Sequence, residues 1–142
     1  MELSKFESRT GKICASDKVV YNFITDMRNF GRFIPGGTIE NWNAATDSCS
    51  FELSPVGGVK LSIIGKEPFS TVKFAGDGLN NTRSYLWIQL KQVAENDTRV
   101  KITIKAGINP MIRVMAAKPI DDFLEKLVSG LENFSDWDTL NG

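Results

Sequence analysis

The sequence predicts an α+β domain: an antiparallel sheet of about seven strands with helices on one side. Two observations carry that prediction. From Thr38 to Ala106, runs of alternating apolar and polar residues repeat with turn residues between them, the period of strands with one dry face and one wet face. From residue 109 to 134 the period changes to that of a helix. Apolar residues recur at Ile112, Met115, Ala116, Ile120, Phe123, Leu127, Leu131 and Phe134, with gaps of three, one, four, three, four, four and three, which makes one buried stripe. No linker, internal repeat or low-complexity tract interrupts the 142 residues, so we expect one domain spanning 1–142.

Residues 3–13 read as the first strand, with Lys5, Glu7 and Arg9 on one face and Phe6 on the other. Ile13 falls out of phase with Phe6, and a bulge near Gly11 repairs this. Ser16 is an expected N-cap with Asp17 in the first turn, ahead of a helical stripe of Val19, Val20, Phe23, Ile24 and Met27. Asp26 is expected to end that helix. A second short helix carries Phe30, Phe33 and Ile34 and ends at Pro35-Gly36-Gly37.

The strands follow. They are Thr38–Asn43, Ser48–Leu53, and then runs centred on Leu61, on Val72 and Phe74, on Ile88 and on Ile102. Turns are expected at Pro55 to Gly58, at Lys66-Glu67-Pro68 and at Glu95-Asn96-Asp97, with a loop over 76–81. In the final helix Asn109 can cap and Pro110 suits the first position. Its length, roughly 39 Å at 1.5 Å per residue, needs a large surface to lie on. Pro119 removes one hydrogen bond from its interior, which predicts a kink or short break near Ala117 and Lys118.

Composition narrows the function. Lys plus Arg and Asp plus Glu are each 17, which argues against nucleic acid recognised by bulk charge. The chain has no His, so the commonest neutral-pH acid/base and metal ligand is missing. Cys14 and Cys49 make no metal pattern and read as two buried free thiols of a cytoplasmic protein. We expect no metal and no cofactor. The charged, alternating N-terminus is unlike a signal peptide, and no stretch reaches membrane-span length, so no integral membrane association is expected.

The residues 15–36, ASDKVVYNFITDMRNFGRFIPG, place a small-residue turn before a Val/Phe helix, an Asp, and an aromatic segment ending near Pro. The strand pair 86–106, LWIQLKQVAENDTRVKITIKA, leads into the long amphipathic helix. In this order and pattern nearly the whole chain resembles the START/Bet v 1-like superfamily, also called SRPBCC or the polyketide cyclase/dehydrase and lipid transport group. The resemblance implies a helix-grip fold: a curved sheet around the C-terminal helix, two short helices after the first strand, and a cavity between sheet and helix. It further implies binding of a small hydrophobic or amphipathic ligand, a lipid, sterol or polyketide-like molecule.

On that reading the ligand-binding set is Phe51, Leu53, Leu61, Ile63, Phe74, Leu86, Ile88 and Ile104 from the sheet, with Ile102 beside them. Phe30, Phe33 and Ile34 come from the short helices, and Met111, Met115, Phe123 and Leu127, with Ile120, from the long one. Met111 and Met115 are placed near the entrance. A filled core built from the same residues remains the alternative.

For chemistry the candidates are Tyr21, Asp26, Glu40, Glu67, Asp77 and Tyr85, which form no recognisable spacing. An enzyme of the cyclase/dehydratase kind, using cavity Tyr or carboxylate groups, is therefore the second reading. Trp42, Tyr85 and Trp87 fall on the polar strand faces and suit either cross-strand packing or an interface to a partner, including a second copy in a homodimer.

Overall fold

The computed structural model describes residues 4–30, 40–53, 57–78, 84–108, 110–134 and 137. Eight strands form one curved antiparallel sheet. They are β1 (Ser4–Glu7), β2 (Gly11–Ile13), β3 (Glu40–Ala44), β4 (Ser48–Leu53), β5 (Gly57–Glu67), β6 (Thr71–Gly78), β7 (Ser84–Ala94) and β8 (Asp97–Ala106). The order across the sheet is β1-β8-β7-β6-β5-β4-β3, with β2 also on β8. Among the described residues two α-helices accompany it, α1 (Asp17–Ile24) and α2 (Pro110–Asn133). Among the described residues no helix is long and apolar enough to cross a membrane.

The expected first strand is split. Phe6 pairs with Ile104 and Ile13 with Thr98, both on β8. Between them Ser8 keeps the pairing by donating its N–H to the Ile102 carbonyl at 2.8 Å, while its hydroxyl accepts from the Ile102 N–H at 2.9 Å. A hydroxyl standing in for a backbone carbonyl releases the chain for residues 8–10. That restores Ile13 to the dry side, where it is fully buried. The irregularity expected near Gly11 thus occurs just before it.

Ser16 caps α1, accepting from the Val19 N–H at 3.3 Å. Thr25 ends the helix, and Asp26 then caps a 3-10 turn, Met27–Asn29, by accepting from the Arg28 N–H at 3.1 Å. Of the expected second helix, Phe33, Ile34 and the Pro35-Gly36-Gly37 end lie outside the described residues. The Asn109 cap does too.

β6 runs through residues 76–78, where a loop was expected, because Gly76 pairs with both Leu61 and Ser84. A Cβ there would meet Ser84 Oγ at 2.3 Å, so this glycine serves a close strand approach and not a turn. The β7–β8 hairpin turns at Asn96 in the left-handed conformation, φ 53°, as its turn chemistry suggests.

α2 lies against β1, β2 and β8 and buries Ala116, Ile120, Phe123, Leu124, Leu127, Val128 and Leu131. It continues through Pro119, so of the expected kink or short break the break does not occur. The carbonyl that loses its partner belongs to Met115, which is 55% exposed, so water can take the missing donor's place. Trp137 folds back on α1 and the helix end, its ring 5.1 Å from Phe23 and 4.7 Å from Phe134.

Candidate functional site

The inner face is built by alternation. Cys49 and Phe51 on β4, Leu61 on β5, Val72 and Phe74 on β6, Leu86 and Ile88 on β7 and Ile102 on β8 all point at the helices and are buried. Phe123 and Leu127 of α2 and Phe30 after the 3-10 turn close over them. Phe30 meets Phe74 edge-on at 6.0 Å. Phe51 stacks on Phe123 at 5.5 Å.

Most of the expected lining is therefore brought together. Phe30, Phe51, Leu61, Phe74, Leu86, Ile88, Phe123 and Leu127 are buried, and Ile63 and Ile104 are half-buried against the same core. Phe33 and Ile34 lie outside the described residues. Leu53 sits in β4, with its side chain outside the description. Met111 and Met115 depart from the inward set, at 86% and 55% exposed. With Val114, also 84% exposed, they occupy a helix face turned away from the sheet. The stripe that packs instead includes Leu124 and Val128. Both stand four residues after a buried neighbour, Ile120 or Leu124, and that spacing could have found them.

The ionisable candidates do not converge. Glu40, Glu67 and Asp77 are exposed. Asp26 forms a two-pronged pair with Arg28 at 2.9 and 2.6 Å, and that guanidinium lowers its pKa. Tyr21 is buried, with its ring edge-on to Phe69 at 5.5 Å. Among the described residues no group of three or more Cys, Asp or Glu is placed to hold a metal. Cys49 is buried and its thiol is pushed up to about 12 by desolvation, so it stays a neutral apolar neighbour. Cys14 is exposed, against the expectation of two buried thiols, because it lies in the bend between β2 and α1 and not in a strand.

The outer face carries the other aromatics. Tyr85 and Trp87 lie 5.9 Å apart. The Lys73 ammonium sits over both rings at 4.9 and 5.4 Å, and the Lys105 ammonium 5.8 Å from Trp87. The two rings neighbour each other along β7, and their cross-strand partners include lysines and no aromatic. Trp87 and Lys105 border a shallow recess of about 270 Å³ in which Glu7 pairs with Lys5 and Lys101. A second recess of about 460 Å³ lies between Asn41, Glu52, Lys60 and Asp77. Trp42, assigned outward from the sequence, instead stacks on Phe51 at 5.9 Å and packs against the core.

No family model matches the chain, and no curated protein matches it in sequence. Solved structures do match. A START superfamily protein from Mycobacterium smegmatis superposes with a TM-score of 0.67 at 12% identity, over 93% of this chain and 95% of that one. The chain has the START/Bet v 1-like helix-grip fold. Norcoclaurine synthase from Thalictrum flavum, in complex with a transition-state analogue, shares the fold at a TM-score of 0.62 and 10% identity, over 91% of this chain and 97% of that one. An HSP90 activator from Plasmodium falciparum shares it at 0.54 and 18%, over 84% and 90%. An enzyme and an activator on one helix-grip fold show that the architecture does not select a single chemistry. The side chains on its inner face must decide.

Proposed function

We propose that this helix-grip protein binds a small hydrophobic or amphipathic molecule between the inner sheet face and α2, and carries out no reaction on it. One observation carries the reading. The inner face presents carbon from β4 to β8, and among the described residues no carboxylate, lysine or arginine is buried there. Burying a ligand's apolar surface against such a lining gains about 25 cal/mol per Å². It offers no proton donor poised near neutral pH, which acid–base catalysis needs. The free thiols Cys14 and Cys49 fit a reducing compartment such as the cytoplasm.

Native mass spectrometry of the purified protein, followed by titration with fatty acids, sterols and aromatic polycycles, tests the proposal. A retained or added ligand at one per chain is expected. Leu127→Trp places an indole under the sheet and is expected to abolish binding while circular dichroism stays that of the parent. Unchanged affinity in this variant would put the site elsewhere, and no binding of any class would remove the proposal.

A further inference from the structure

Trp42 faces inward only because β3 is irregular. Glu40 pairs with Glu52, but Asn43 and not Trp42 pairs with Ser50. Glu52 and Ser50 both point outward, so regular alternation would set Trp42 outward opposite Ser50. One extra residue reverses it. The extra residue is accommodated at Asn41, held in the left-handed region at φ 56° and fixed by its side-chain amide donating to Glu52 at 2.7 Å. Bulges are common at sheet edges, and this one re-aims a side chain.

The result is a column of three rings. Trp42, Phe51 and Phe123 stand 5.9 and 5.5 Å apart, with interplanar angles of 29° and 27°. The column runs from the β3 edge of the sheet to α2. Phe51 covers one face of the indole, and among the described residues no other ring lies against it.

Resting on the proposed function, we infer that Trp42 is a specificity-determining residue and that the molecule bound is a planar aromatic or conjugated ring system, continuing the column by stacking. Near-parallel rings favour another flat π-surface over a saturated chain, which gains contact but no quadrupole alignment.

Two probes test this: pyrenemethanol, which is flat, and lauric acid, which is saturated. Wild type is expected to bind pyrenemethanol more tightly. Trp42→Leu keeps apolar bulk without the ring and is expected to weaken pyrenemethanol by about tenfold, and by more than it weakens lauric acid. Trp42→Phe is expected to stay near wild type. Equal affinity of Trp42→Leu and wild type for pyrenemethanol, equal losses for both probes, or tighter binding of lauric acid by wild type would overturn the inference and leave interior binding standing. Failure of both probes at roughly 100 μM would overturn the inference, and the proposed function falls with it when fatty acids, sterols and polycycles all fail as well. One measurement needs no variant: pyrenemethanol should shift the Trp42 ring protons upfield in the NMR spectrum of wild type. Binding without that shift would also overturn the inference.

Discussion

Gly11 shows how closely single residues are fitted here. A Cβ on it would come within 2.5 Å of Val128 Cγ1 on α2 and 3.2 Å of Val100 Cγ1 on β8. The side chain is missing because helix and strand converge at that point. Gly11→Ala is expected to cost about 1–3 kcal/mol, the usual penalty for overpacking, and Val128→Ala in the same chain should recover part of it. Thermal denaturation of the two variants checks this, and an unchanged midpoint in the single variant would mean the helix yields easily. From the sequence Gly11 was readable as an irregularity, since Phe6 and Ile13 could not share a face on a regular strand. That a helix residue more than a hundred positions away sets the constraint was not. Trp42 failed in the opposite sense. Its phase followed from simple alternation, and the extra residue at Asn41 that reverses it carries no composition signal beyond an asparagine.

Among the elements, α2 was the most legible and also the most misjudged. Its span and most of its buried stripe follow from spacing, because a helix that must lie on a sheet repeats its apolar residues every three or four. Met115 breaks the rule, since a thioether fits a helical stripe by pattern yet here meets water. Pro119 was expected to kink or break the helix, and the helix continues through it without a break. A proline in a helix interior costs about 3 kcal/mol by propensity, and Met115, whose carbonyl loses its donor, is 55% exposed, so solvent is at hand to limit that cost. Pro119→Ala is therefore expected to raise stability by about 1–3 kcal/mol. If denaturant unfolding shows a loss instead, the proline shapes the helix to the sheet and its cost is offset by packing. After α1, Asp26 and the 3-10 turn appear where the first helix was expected to stop.

At the scale of the whole molecule, the N-terminal strand region and the C-terminal helix are joined by charge as well as packing. Arg9 binds Glu125 through two nitrogens at 3.0 and 2.9 Å and Glu132 through two at 3.0 and 2.6 Å. Glu132 also accepts from the Lys12 N–H at 2.9 Å. The guanidinium holds both carboxyls below the ordinary value of 4.5. Groups depressed in the folded state contribute fully above their unfolded pKa, and the contribution is lost as pH falls below 4.5 through their lower folded values. The cluster is largely exposed, so its worth is about 1 kcal/mol. Arg9→Met is expected to lower the unfolding midpoint at neutral pH, with the gap from wild type closing in acid. A gap of equal size at both extremes would assign the effect to packing alone.

The sequence by itself determined the fold class, the order of strands and helices, much of the inner apolar set among the described residues, and the lack of histidine that weakens a catalytic reading. These follow from local period and composition, which burial imposes on each element separately. Only the tertiary structure decided the split first strand, the path of β6 through Gly76, the outward Met111 and Met115, and the inward Trp42 stacked on Phe51. Each depends on one element meeting another at a particular register, and contacts between distant residues leave no period in the chain.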